Sequence, residues 1–289
     1  MKFWQSITWA ETDQLIEVAR HAEALGFEGI IGADHALYPA KLEPAYPYSE
    51  SGLPPQTAES EYPDMWTSSA AMAAVTERLR FVCGVYVLPL RNPIEVAKQA
   101  ATLAILSRGR FALGVGSGWM KEEFDLYGVD FASRGRRMDE MVEVMQGLWA
   151  GGYYEHHGEF FDFDPIVVSP RPDHPVPLYF GGAAPIALRR AARIGDGWIG
   201  TGNTPEEVPA VLDGLARLRR EAGRANVPFD TVVGIYGETS VDLFRRLEDA
   251  GMTSGIHLPF WFALEGPSTL DQKKRLMEDF AEGVLRHFT

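Results

Sequence analysis

The stretch from Arg80 to Trp119 constrains this chain most. Residues 81 to 88, Phe-Val-Cys-Gly-Val-Tyr-Val-Leu, form an almost unbroken apolar run, the pattern of a parallel strand covered on both faces. Asn92, Pro93 and Glu95 then supply an N-cap, a first-turn proline and an acid near the third helical position. A helix is predicted from Pro93 to about Leu106, with Val96, Ala100, Leu103 and Ala104 on its buried side. Phe111 to Val115 returns as a second apolar strand. It runs into Gly114-Val-Gly-Ser-Gly118, backbone shaped for close approach to a ligand. The stretch is therefore one βαβ unit with loop chemistry at the carboxyl ends of its strands.

The alternation extends along the chain. Strands are predicted at 2–8, 27–32, 178–182, 197–200, 229–236 and 253–258, besides the two above. Helices are predicted at about 15–25, 64–76, 133–149, 184–194, 204–223, 240–250 and 270–288. Met138, Met141, Val142, Met145, Leu148 and Trp149 make the apolar stripe of the third of these. Thr204-Pro-Glu-Glu207 has the form of a capping box opening the helix to Gly223. Residues 36–63 form a long loop rich in proline and tyrosine (Pro39, Pro44, Pro47, Tyr38, Tyr46, Tyr48, Tyr62), expected to act as a lid. Residues 150–177 read as a hairpin followed by a proline-rich excursion. Eight strand–helix alternations in 289 residues, without a domain break, predict a single (β/α)8 barrel spanning residues 1–289 rather than a doubly wound sheet.

Bulk properties exclude several classes. With 27 basic and 40 acidic residues the formal net charge is −13, which argues against broad binding to nucleic acid or to an anionic membrane. No apolar run approaches the roughly 20 residues of a membrane span, and no signal peptide opens the chain. Cys83 is the single cysteine and falls inside a predicted strand. Disulfides and thiolate metal sites are thus excluded, and a cytoplasmic setting is expected.

A barrel carries its chemistry at the carboxyl ends of its strands. The candidates there are Thr8, Trp9 and Glu11; Asp34 and His35; Gly84 and Val85; Gly116, Ser117 and Trp119; Gly181 and Gly182; Gly200 and Thr201; and His257 to Phe260. No metal-ligand cluster is evident. Adjacent His156 and His157 point apart in regular structure. Gly114-x-Gly-x-Gly is not a dinucleotide fingerprint, since no helix opens directly after it. The mouth is mostly glycine, aromatic and aliphatic, as suits a large flat cofactor that brings its own chemistry.

These residues resemble the luciferase-like monooxygenase family of flavin and deazaflavin barrels. The resemblance rests on Ala33-Asp-His35, Gly84-Val-Tyr-Val-Leu-Pro-Leu-Arg-Asn-Pro93 and Leu106-Ser-Arg-Gly-Arg-Phe-Ala-Leu-Gly-Val-Gly-Ser-Gly-Trp119. It extends to Glu122-Glu-Phe124, Gly128 to Arg137, Phe180-Gly-Gly182 and Arg189 to Ile199. Within the family the chain looks most like the actinobacterial branch that uses coenzyme F420, an 8-hydroxy-5-deazaflavin with a phospholactyl-polyglutamate tail. The resemblance implies an oxidoreductase that moves a hydride between F420 and an organic substrate, and a homodimer. It implies a cis peptide at Gly84-Val85 under the central ring, with Val85 as its buttress. His35 would handle a proton, and Asp34 would bond cofactor or lid. Ser117 would also face the cofactor. Gly181, Gly182 and Ala183 would bind its phosphate, with Gly200 and Thr201 as a second turn, and Arg189 and Arg190 would await the acidic tail. Trp9, Glu11 and Trp119 would line the substrate pocket. Trp119 stands where sugar-phosphate dehydrogenases of the family carry a glutamate acid, which speaks against a sugar phosphate here. Three other functions fit the same pattern: a two-component monooxygenase using reduced FMN and oxygen, a flavin-binding protein without turnover, and a barrel hydrolase built on Asp34, His35 and Glu11.

Overall fold

A computed structural model describes residues 1–43, 45–47, 49, 51–200 and 202–288. Pro44 and Tyr48 of the long loop and Thr201 of the second glycine turn lie outside the described residues. The parallel strands are β1 (Lys2–Ser6), β2 (Gly29–Gly32), β3 (Arg80–Cys83), β4 (Tyr86–Val87), β5 (Phe111–Gly116), β8 (Leu178–Gly181), β9 (Gly197–Ile199), β10 (Asp230–Gly234) and β11 (Ser254–His257). Hydrogen bonding runs β3-β2-β1-β11-β10-β9-β8-β5, and β3 pairs with β5, so the sheet closes on itself. Between β5 and β8 an antiparallel hairpin, β6 (Tyr154–His157) with β7 (Asp162–Ile166), stands apart as its own sheet.

Alternation along each strand explains the unbroken apolar runs. Trp4, Ile31, Val82, Ala112, Tyr179, Ile199 and Val232 pack together inside the ring. Their neighbours Phe3, Ile30, Phe81, Leu113, Phe180, Trp198 and Val233 belong to the larger shell beneath the helices. Both faces of these barrel strands are therefore dry where those residues sit, which a half-polar pattern could not satisfy.

The helices α1 (Leu15–Leu25), α2 (Met65–Ala74), α3 (Pro93–Leu106), α4 (Lys121–Tyr127), α5 (Arg134–Ala150), α6 (Pro185–Ile194), α7 (Val208–Glu221), α8 (Val241–Asp249), α9 (Phe260–Leu264) and α10 (Leu270–Gly283) cover the sheet or cap its mouth. The Asn92 side chain caps α3 by accepting from the Ile94 N–H at 2.9 Å. All four residues expected on the inner side of α3 are buried. The Trp149 indole of α5 donates to the Ala97 carbonyl at 2.9 Å and locks these two helices together. The expected capping box at Thr204 forms only in half. The Glu207 carboxylate accepts from the Thr204 N–H at 2.9 Å, but the helix begins at Val208, after a turn over residues 205–207. The reciprocal box sits instead at Thr269 and Gln272, opening α10. Lys121–Tyr127 and Phe260–Leu264 are short helices outside the predicted strand–helix alternation.

The third barrel strand is interrupted. Phe81 of β3 pairs with Phe111, thirty residues on, whereas Tyr86 of β4 pairs with Val115, twenty-nine on. One extra residue is thus inserted between Cys83 and Tyr86, as in a bulge. The Gly84-Val85 peptide is cis, as the resemblance implied. A side chain at Gly114 would lie 1.8 Å from the Cys83 carbonyl oxygen, so only glycine admits this bend beside β5.

His257 was a candidate for the barrel mouth but faces outward from β11. Its Nδ1 bonds Gln5 Oε1 at 2.7 Å and its ring stacks on Phe280 at 4.3 Å. Burial pushes its pKa down to about 4. An exposed histidine titrates near 6.5, so the unfolded chain takes the proton first. Stability contributed by the neutral ring is complete above about pH 6.5 and is lost as pH falls toward about 4. The expected loss is up to about 3 kcal/mol. Urea unfolding at pH 7 and pH 4.5 measures it, and His257→Asn should flatten that pH dependence. An equally steep variant would contradict the assignment.

Candidate active site

A cleft of about 750 Å³ opens at the carboxyl ends of the strands. Its floor begins at the bulge in the third strand. The Val85 side chain sits between Gly116 at the end of β5 and Gly181 at the end of β8. A Cβ on Gly116 would meet Val85 Cγ2 at 2.5 Å, and one on Gly181 would meet Cγ1 at 2.4 Å. These two glycines leave the room that lets an aliphatic side chain form a smooth platform in the cleft. Gly84, Ser117 and Gly200 also line it.

His35 follows β2 and is aimed by Glu123 of α4. Its Nδ1 donates to Glu123 Oε2 at 3.0 Å, and the Ala36 N–H donates to Oε1 at 2.7 Å. Glu123 has no solvent exposure. A buried carboxylate is tolerated because both oxygens are bonded. The network places the neutral imidazole's proton on Nδ1 and leaves Nε2 as the group available to a ligand. Tyr62 and Trp119 pack edge-on against this ring, with centroids 5.2 and 5.8 Å away.

Asp34 lines the cleft, but its carboxylate is bonded to protein. Oδ2 accepts from the Val87 N–H at 3.0 Å, and both oxygens lie 3.1 Å from Arg91 Nη2. Burial pushes its carboxyl up, and the Arg91 guanidinium opposes that rise. Neither partner belongs to the 36–63 loop, the lid half of the cofactor-or-lid expectation. Asp34 therefore ties the end of β2 to the backbone beyond Val85 and acts on the platform indirectly.

Glu11 is not at the cleft. Its carboxylate bonds the Lys273 ammonium and accepts from the Ser268 N–H at 2.6 Å. Burial raises its pKa, and these bonds together bring it below the ordinary value. Lys273 Nζ is fully buried and also donates to Gln14 Oε1 and the Ser268 carbonyl and hydroxyl. The acid expected in the substrate pocket thus anchors α10, and an active-site role in hydrolysis has no geometric support.

Gly181, Gly182 and Ala183 lead into α6, whose first position is Pro185. Gly182 has φ +115°, and its carbonyl accepts from the Trp198 indole at 2.9 Å, which fixes the turn. Ala183 and Ala184 are exposed at the cleft, so the N-terminus of α6 faces into it. The Gly200 N–H donates to the Val232 carbonyl at 2.9 Å. It is already used by the barrel ladder, and the second glycine turn loses that donor. Arg189 is exposed, whereas buried Arg190 lines the cleft and is held by Asp139 at 2.6 Å. His156 turns toward Glu140 and Tyr154, and His157 toward Asp162.

Glu123 and Phe262 were not singled out from sequence, and Tyr62 was named only among the tyrosines of the 36–63 loop. Glu123 lay inside a matching stretch, Glu122-Glu-Phe124, but two adjacent acids at a helix start give no sign of which one turns inward. Trp9 and Trp119, in contrast, line the cleft as expected. Trp9 has φ +60°, a backbone conformation that non-glycine residues seldom adopt.

Fold and cleft together define a (β/α)8 barrel with a flat floor and one aimed imidazole. A model of the luciferase-like monooxygenase family matches residues 4–251, and the chain belongs to that family. The family includes F420-dependent and FMN-dependent oxidoreductases. The chain is 40% identical to an uncharacterised protein of Mycobacterium tuberculosis over 99% of both. It is 34% identical to the F420-dependent glucose-6-phosphate dehydrogenase of Beutenbergia cavernae over 78% of this chain and 64% of that one. It is 29% identical to the FMNH(2)-dependent dimethylsulfone monooxygenase of Pseudomonas putida over 78% of this chain and 58% of that one. Among solved structures, a monooxygenase from Streptomyces bottropensis superposes over the full length of both chains with a TM-score of 0.78 at 22% identity, a likeness of fold. No helix among the described residues is long and apolar enough to cross a membrane.

Two outcomes are expected. Glu11→Ala leaves a buried ammonium without its carboxylate and should cost about 3 kcal/mol in urea unfolding, with ligand affinity at the cleft unchanged; a cost below about 1 kcal/mol would contradict the anchoring role. Gly181→Ala should cost about 1–3 kcal/mol by overpacking against Val85. In a Val85→Ala background the nearest side-chain approach relaxes to the 3.5 Å separation from Val85 Cβ, so the two changes should be strongly non-additive. Additive costs would contradict the platform geometry.

Proposed function

We propose that this chain is an oxidoreductase that binds coenzyme F420 across the Val85 platform and transfers a hydride between it and a small organic substrate. When bound, the deazaflavin supplies the hydride chemistry; the protein supplies position, a dry site and a proton. Val85, flanked by Gly116 and Gly181, gives the flat ring system a floor without polar obstruction. The N-terminus of α6 offers its dipole and backbone N–H groups to the cofactor phosphate. His35 Nε2 donates or accepts the proton that accompanies the transfer, a task suited to imidazole. The loop over residues 36–63 serves as a lid, contributing Tyr46, Leu53, Pro54 and Tyr62 to the wall.

The observation that carries this reading is the His35–Glu123 bond at the edge of a glycine-flanked platform. A flavin-binding protein without turnover has no need of a fully buried carboxylate to aim an imidazole. The stronger identity to the F420-dependent relative than to the FMN-dependent one supports F420. The second reading, a monooxygenase using reduced FMN, shares floor and phosphate site and is supported by the latter relative.

An absorbance titration distinguishes them. F420 is expected to bind with a micromolar Kd, about −8 kcal/mol, and at least tenfold more tightly than FMN. Millimolar binding of F420, or tighter binding of FMN, would contradict the proposal.

A further inference from the structure

Five aromatic rings meet around His35. Trp119 stands edge-on to Tyr46, with centroids 5.0 Å apart, and to the imidazole at 5.8 Å. Trp9 stands edge-on to Tyr62 at 6.4 Å and to Phe262 at 5.4 Å. Tyr62 closes the set against His35 at 5.2 Å. All five line the cleft. They come from four separate places: the end of β1, the 36–63 loop, the end of β5 and the short helix α9. Interlocked edge-to-face packing fixes the rings at angles of 74° to 89°, so the box is preformed.

The charges near this box are already engaged. Both oxygens of Glu123 are bonded to His35 and Ala36. Asp34 is paired with Arg91. No described Lys or Arg lies over the rings of Trp9, Tyr62, Trp119 or Phe262. Of the cations lining the cleft, Arg190 is held by Asp139. Arg134 donates to the Gly118 and Phe131 carbonyls and lies 3.8 Å over the Phe131 ring. Against the rings themselves a charged substrate would shed water without an opposite charge in contact, although Arg134, tied to carbonyls and to the Phe131 ring, keeps its charge in the wider cleft. A flat neutral one would gain ring contacts on several sides.

From this arrangement we propose that the ring box is the substrate site, and that it takes an uncharged, planar ring compound whose hydroxyl donates to His35 Nε2. The inference deepens the functional reading above, but its binding step does not require the cofactor. A flat acid or a sugar phosphate should bind this box more weakly, by the same chemistry.

Isothermal calorimetry with 2-naphthol, 2-naphthoate and glucose 6-phosphate tests it, on the full chain alone and saturated with F420. The neutral naphthol should bind at least tenfold more tightly than the carboxylate of the same ring, and glucose 6-phosphate should not bind. Phe262→Ala and Trp119→Leu should each weaken the naphthol at least fivefold, with unchanged thermal unfolding showing that the variants are folded. Phe262 is 44% exposed, so its removal leaves the core intact. Equal or tighter binding of naphthoate or glucose 6-phosphate would overturn the proposal, as would naphthol binding that F420 abolishes, since the probe would then occupy the platform. If F420 fails to bind, the functional reading falls while the measurement on the chain alone still decides the box.

Discussion

A carboxylate without solvent exposure holds the site together. Glu123 lies on α4, a helix of two turns, and meets His35 and Ala36 from a strand end 87 residues earlier. Removing water from a carboxylate is costly, and the cost is offset only when its oxygens are bonded in good geometry. That requirement works in both directions. The loop after β2 must present an imidazole and a backbone N–H together, and α4 must bring the acid inward. The segment after β5 and the segment after β2 are thereby fixed relative to one another, and His35 is left with one free nitrogen on the cleft side.

The platform beside it depends on a different constraint. An extra residue in the third strand shifts the register against β5 and lifts Val85 out of the sheet. The shift requires glycines on both neighbours, because a methyl group on either would collide with Val85. It also needs the far side secured. Asp34 does this by accepting the Val87 N–H and pairing with Arg91, which stacks over Tyr86 at 5.0 Å. The Asp34-His35 dipeptide thus divides its labour: one side chain steadies the strand beneath the platform, the other faces the cleft.

Much of the fold could be read from local pattern. Runs such as Phe81 to Leu88 and Phe111 to Val115 mark strands buried on both faces, and the Asn92-Pro93-x-Glu95 start marks α3 without ambiguity. The site was legible where backbone shape decides, as at Gly84, Gly116, Gly181 and Gly182. It was not legible where a partner distant in sequence decides. Glu11 looked like a mouth acid because it follows a strand end, but its partner Lys273 is 262 residues away. Glu123 stood only inside a matching stretch, and nothing local marks it off from Glu122. Gly200 looked like a phosphate turn, yet its N–H belongs to the sheet, since ladder bonds extend one residue past the apolar run. Thr204 has the residues of a capping box, and the turn over 205–207 displaces the helix start.

The account comes down to whether Glu123 orients His35 toward the cleft. Nitrogen-15 NMR of the imidazole, assigned by comparison with a His35→Gln variant, reads this directly. In the neutral ring the account predicts that Nδ1 carries the proton and Nε2 has the shift of an unprotonated nitrogen, and that Glu123→Gln removes this preference. A neutral ring protonated at Nε2, or one indifferent to Glu123→Gln, would contradict it.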